Sequence, residues 1–116
     1  MQFMCLIYSK ENSGPQPGTE EFGPFMQGYM DFTEKVKREG KLVSGDALDA
    51  VATATTVSVR NGKVETMDGP FAETKEQLGG YYLLECEDLD EALKYAAMIP
   101  TAESGRIEVR PIMIYG

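Results

Sequence analysis

The chain has 116 residues, of which 11 are Lys or Arg, 19 are Asp or Glu and none is His, giving a net charge of −8. That length predicts one domain over residues 1–116 with a modest core, too small to enclose a deep site without help from a partner subunit. The acidic balance argues against a nucleic-acid partner, whose phosphates it would repel, and the absence of histidine removes Ser/His and Cys/His catalysis, His-ligated zinc and any imidazole base.

Residues 2–9, "QFMCLIYS", carry apolar side chains on both alternating faces, Phe3, Cys5 and Ile7 on one and Met4, Leu6 and Tyr8 on the other, which predicts a strand buried on both sides. Prolines and glycines make 10–18 a loop. A helix is predicted from about Thr19 or Pro24 to Glu39, with Phe25, Tyr29, Phe32 and Val36 at helical spacing, basic residues in its last turn and Gly40 as its stop. "KLVSGDAL" predicts a second strand, "TTVSVRNGKVETM" a hairpin about Asn61-Gly62, and "YYLLECE" another strand. Asp88 can cap a second helix that buries Leu89, Ala92, Leu93 and Ala96 and stops at Pro100; "RIEVRPIMIYG" then closes the chain as a strand.

This order predicts a ferredoxin-like α+β sandwich on an antiparallel sheet, with an inserted hairpin. Two helices cover only one face of such a sheet, so the second apolar face predicts a homodimer formed sheet against sheet; cover by loops 10–18 and 99–106 is the alternative. No apolar run approaches the roughly 20 residues that span a bilayer, and "MQFMCLIYSKENSG" lacks the basic start and cleavage site of a secretory signal. Cys5 and Cys86 read as reduced, buried thiols. The expected location is cytoplasmic, without membrane contact. No EF-hand or Gly-rich phosphate motif is present, so neither a metal nor a cofactor is expected.

"MDGPFAETKEQLGG", residues 67–80, holds the first group of candidate site residues. Pro70 pushes Gly69 toward extended geometry, Asp68 can accept backbone hydrogen bonds, and Phe71 is expected to pin the corner to the core. Thr74 and Gln77 fit a capping box for a short helical turn ended by Gly79-Gly80. Glu73, Lys75 and Glu76 follow, and a carboxylate among Asp68 and Glu73 that is partly buried could serve as a proton acceptor; an Asx-type turn and a solvated charged face are the bland counterparts. The second group is "IEVRP": Glu108 and Arg110 share one face of the last strand, opposite Ile107 and Val109, either to meet a ligand or to pair across an interface. Arg60, Asp46 and Tyr82 could approach the same surface.

"DGPFAETKEQLGGYYLLE", then "LDEALKYAAMIP" and "EVRPI", resemble the DGPF branch of the YCII-related proteins over nearly the whole chain. The resemblance implies a dimeric α+β barrel, a homodimer, and a ligand or active-site pocket on each protomer between the open sheet face and the helices or loops. Genes of this branch often neighbour extracytoplasmic-function sigma factors, which implies a possible regulatory role. The wider family's His/Asp pair has no counterpart, because no histidine exists and its Asp-Pro stands here as Ile99-Pro100. Asp68, Gly69, Pro70, Phe71, Glu73, Lys75, Glu76, Gly80, Glu108, Arg110 and Pro111 match the branch's own pattern.

Three functional readings follow. The leading one is a binder, regulatory in role, of a small anionic molecule near the DGPF loop, held by Arg110 and Arg60 with Lys75 and Glu108 nearby and lined by Tyr8, Tyr82 and Phe71. The second is a cofactor-free isomerase or lyase with Asp68 or Glu73 as base and Lys75 or Arg110 stabilising negative charge. The third is an interaction partner of a sigma factor through the acidic exterior.

Overall fold

The computed structural model describes residues 1–115. Its strands are β1 (Gln2–Lys10), β2 (Leu42–Ala47), β3 (Thr55–Arg60), β4 (Lys63–Asp68), β5 (Glu76–Glu85) and β6 (Arg106–Pro111), with helices α1 (Phe22–Arg38) and α2 (Leu89–Ala96). Four strands form one sheet in the order β2-β5-β1-β6, and every neighbouring pair is antiparallel. The strand–helix–strand, strand–helix–strand path through that order is the ferredoxin-like α+β fold expected from the sequence.

The register explains which side chains meet. Cys5 lies opposite both Tyr82 and Val109, and Phe3 opposite Leu84, so these residues share the face beneath the helices. Phe3, Cys5, Val36, Leu84, Cys86 and Ile99 are the largest fully buried side chains, and they form one core with Phe32, Ala92 and Ala96 from the helices. The alternate residues Met4, Leu6, Tyr8, Tyr81 and Leu83 are only half-buried on the other face. The molecule is 19 Å thick in its smallest dimension, room for one sheet and one helical layer at the usual spacing of about 10 Å. Among the described residues, none roofs the second face.

Helix α1 starts at Phe22, so Pro24 falls in its first turn, where a missing N–H costs no helical hydrogen bond. It buries Phe32 and Val36, half-buries Phe25 and Tyr29, and ends where Gly40 turns to φ +73° and Lys41 N–H returns to the Val36 carbonyl at 2.8 Å. Asp88 caps α2 by accepting from Glu91 N–H at 2.9 Å, while the Glu91 carboxylate accepts from Glu87 N–H at 3.0 Å. Of the four residues expected to be buried, only Ala92 and Ala96 are; Leu89 and Leu93 are about half exposed, because an eight-residue helix meets the sheet along a narrow stripe.

Strands β3 and β4 form a separate two-stranded arm with Asn61 and Gly62 at its tip, both at positive φ as a type I′ turn requires. Every residue of β4 is exposed. Three further expectations need correction. Residues 71–75 make no helical turn; β5 begins at Glu76, five residues ahead of "YYLLECE", and Thr74 Oγ1 donates to the Glu76 carbonyl at 2.6 Å instead of capping a helix. Phe71 is 82% exposed and pins nothing. Gly69 adopts φ +88°, with its N–H held by the Ala54 carbonyl and its own carbonyl accepting from Thr56 Oγ1, so the corner is a left-handed turn tied to β3. The last strand stops at Pro111; Ile112–Tyr115 continue outside it, and Gly116 lies outside the described residues.

Candidate functional site

Among the described residues, two of the concavities lie on opposite faces of the sheet. The first, of about 460 Å³, opens between α1 and the covered face of β1, β2 and β5. Phe25, Met26, Tyr29 and Thr33 form its roof, Ile7, Gly45, Ala47 and Gly80 its floor, and Ser13, Thr101 and Ser104 its end. The two strand glycines keep this floor flat. A Cβ on Gly45 would stand 2.7 Å from the Tyr82 ring, and one on Gly80 would stand 2.9 Å from the Asp46 carbonyl oxygen.

Hydroxyls are held in place around this space. Tyr82 and Thr33 share a hydrogen bond of 2.7 Å, the Tyr82 ring meets Phe32 edge-on at 5.0 Å, and the Tyr29 phenol is bonded to Thr101 Oγ1. Burial pushes the Tyr29 phenol above its ordinary pKa, and the Thr101 hydrogen bond only partly opposes it. Asp46 contributes no carboxylate here: the register places it opposite Tyr81 on the other face, where it accepts from the Tyr81 phenol at 2.7 Å and thereby raises that phenol's pKa. The cavity is therefore apolar and hydroxyl-bearing, with no Lys or Arg in its lining.

The second concavity, of about 690 Å³, is a wider depression at one end of the open face. Tyr8, Lys10, Lys75, Glu76, Arg106 and Glu108 surround it, and their meeting follows from register: Lys10 pairs with Glu76, and Tyr8 with Arg106. Among the described residues, no group of three or more Cys, Asp or Glu is placed to hold a metal ion.

The structure divides the residues singled out in the sequence. Tyr8, Lys75 and Glu108 come together at the open-face depression, while Tyr82 lines the cavity beneath α1. Arg110 stands on the same face as Glu108 and is ion-paired to it. Arg60 is at the far end of the arm, its Nη1 donating to the Val59 carbonyl. Asp68, Phe71 and Glu73 are exposed and line neither concavity. The arm carries Arg60 and Asp68 off the main sheet, and none of Asp68, Glu73 and Arg110 lines either concavity. Missed were Tyr29, Thr33, Thr101, Lys10 and Arg106. Glycines inside strands, at Gly45 and Gly80, were the available signal for the first cavity.

Three comparisons agree with this architecture. The family model of the YCII-related domain matches residues 1–115. The uncharacterized protein R00369 of Rhizobium meliloti (strain 1021) is 39% identical over 119 residues, covering 99% of this chain and 94% of that protein. Among solved structures, the 5-chloro-2-hydroxyhydroquinone dehydrochlorinase TftG of Burkholderia phenoliruptrix AC1100, in complex with 2,5-dihydroxybenzoquinone, superposes with a TM-score of 0.52 at 15% identity, over 97% of this chain and 94% of its own. At that identity the likeness is one of fold. The family match runs from the first strand through the last and the relative aligns end to end, so the chain belongs to the YCII-related domain family.

Proposed function

We propose that this protein binds a small, uncharged, oxygenated ring compound in the cavity beneath α1, in a sensing rather than a catalytic role. The observation that carries the reading is the cavity: its volume of about 460 Å³ falls within the roughly 300–1,000 Å³ of small-molecule sites, and its walls are apolar with a few fixed hydroxyls. Phe25, Tyr29 and Tyr82 offer ring surfaces to a flat ligand, and the absence of a cation from the lining disfavours an anionic one there. A second copy of the chain over the open face belongs to the same reading, because half-buried Met4, Leu6 and Leu83 have no cover of their own.

One observation favours a second reading, a cofactor-free isomerase or lyase: the chain shares its fold with a dehydrochlorinase. That reading needs a proton acceptor in the cavity. Tyr29 is held protonated by burial, and Asp68 and Glu73 lie elsewhere.

Titration calorimetry and thermal unfolding with hydroquinone and resorcinol, both uncharged at neutral pH, test the proposal. Saturable binding is expected, and Ala47→Phe should abolish it without loss of folded content, since Ala47 is exposed on an edge strand and faces the cavity mouth. Failure of both compounds to bind, or binding that survives the filled mouth, overturns the binding reading. Chemical consumption of the bound compound would transfer the same site to the enzyme reading.

A further inference from the structure

We infer that the depression at the end of the open face is a second binding site, selective for the carboxylate or phosphate group of a small organic anion. Its ligand class is opposite to that of the neutral cavity beneath α1, and it does not depend on that cavity being occupied.

The argument starts from charge. In a chain of net charge −8, three strand ends bring Lys10, Lys75 and Arg106 around one concavity. Their countercharges are few. The Glu108 carboxylate is already paired with Arg110, and Glu76 Oε1 lies 3.6 Å from Arg106 Nε, a loose contact to a guanidinium whose side chain is largely exposed. Among the described residues, neither Lys10 nor Lys75 has an acidic oxygen within 4.0 Å. Three cations thus line the depression with two carboxylates, one of them already neutralised by Arg110, and gathering like charges is unfavourable unless something negative enters between them.

The concavity has the form to admit it. At about 690 Å³ it exceeds the size of a bare ion, and the Tyr8 side chain forms part of its lining. Arg106 can present a planar fork to two oxygens of one oxyanion, while Lys75 supplies a mobile point charge from the connection that enters β5. The Tyr8 ring then takes the organic part of the ligand. Its hydroxyls, where present, find an acceptor in the Glu108 carboxylate. The site lies past the apolar centre made by Met4, Leu6 and Leu83, so a second copy seated on that centre leaves these cations at its rim.

The chemistry of the anion decides the source, and the probes separate the two. Inorganic phosphate and citrate are titrated into the full chain by calorimetry at low ionic strength, with chloride at matched ionic strength as the background. Saturable binding of at least one probe is expected. The double variant Lys75→Gln/Arg106→Gln should weaken it at least about tenfold, Arg106→Lys by less, and Lys94→Gln, on α2 in the helical layer, not at all. All of these side chains are on the surface, and unchanged thermal unfolding confirms that the variants fold. Preference for phosphate assigns a phosphate ester, and preference for citrate a polycarboxylate. Absence of saturable binding by both, no loss in the double variant, or an equal loss in Lys94→Gln, which would mark a general charge effect, overturns the proposal.

Discussion

The two faces of the main sheet have nearly the same apolar alternation in β1 and β5 and end in opposite conditions. Beneath the helices, Phe3, Cys5 and Leu84 are sealed and the cavity beside them is neutral. On the other side, Met4, Leu6 and Leu83 are half-wet, and β6 adds Arg106, Glu108 and Arg110 to the same face. Period-two hydrophobicity thus specifies which side chains share a face, but the cover on that face comes from elements elsewhere in the chain or from another molecule. Under the two binding proposals, the covered face selects ligands by shape and the open one by charge.

Adjacent leucines in β5 provide the largest test of this contrast. Leu84→Ala empties a fully buried position and is expected to cost about 2–5 kcal/mol in urea unfolding. Leu83→Ala, half-buried on the open face, should cost about 1 kcal/mol or less in dilute solution. If a second copy covers that face, stability rises with protein concentration, and Leu83→Asp removes the rise while leaving the dilute value nearly unchanged. A concentration-independent wild type that sediments as a monomer would break the dimer proposal and leave the contrast between the leucines intact.

Thiol chemistry offers the next largest effect. Cys5 and Cys86 are both buried, and Cys5 is pushed up to about 11, first by desolvation and then by the neighbouring Cys86. Both thiols should resist an aromatic disulfide reagent at pH 8 in the folded chain and react together on unfolding, at a rate set by global opening. The sign follows from the raised pKa: the stability linked to a protonated Cys5 is fully present below its unfolded value near 9 and is lost as pH rises through about 11. Rapid labelling of Cys5 at pH 8 without unfolding would mean that the helical layer opens locally.

The fold was legible because its signals are local. The Asn61-Gly62 turn, the Asp88 cap, the Phe25-Tyr29-Phe32-Val36 stripe and the Glu108/Arg110 face all depend on spacing within a few residues. The DGPF segment misled for the same reason: a charged run after a turn offers caps, and Thr74 with Gln77 satisfied the pattern of a helix, yet pairing of Lys10 with Glu76 draws the chain into β5 instead. A long-range ladder outweighed a local preference. The candidate site was only partly legible. Tyr8, Lys75 and Glu108 share a concavity, but Lys10 and Arg106 join them only through the β1–β5 and β1–β6 registers, which no local pattern contains. The positions of Asp68 and Arg60 relative to the main sheet were not legible, because a hairpin's sequence does not say where its arm points.

The smallest expected effect comes from two matched tyrosine–carboxylate pairs, one in each layer. In the helical layer, Tyr95 of α2 donates to Glu39 at the end of α1 at 2.6 Å, and that carboxylate pushes the phenol up to about 12. On the open face Tyr81 donates to Asp46, and the Tyr81 phenol is raised for the same reason. Both pairs are near the surface, so neither contributes much to global stability. Their placement differs, however. Tyr81 and Asp46 sit on neighbouring strands that backbone hydrogen bonds already join, whereas Tyr95 and Glu39 connect two helices with no ladder between them. Tyr95→Phe should therefore accelerate amide exchange at the end of α1 more than Tyr81→Phe accelerates it in β2. Glu39 is held below its ordinary pKa chiefly by the Tyr95 hydrogen bond and next by Lys35, so its contribution is present above the unfolded value near 4.5 and fades as pH falls through the lower folded value. The Tyr95 contribution is present below the unfolded value near 10 and is lost as pH rises through about 12. A Tyr95→Phe variant whose exchange at the end of α1 matches wild type between those limits would show that shared core contacts through Val36 and Ala92 hold the helices together without the tether.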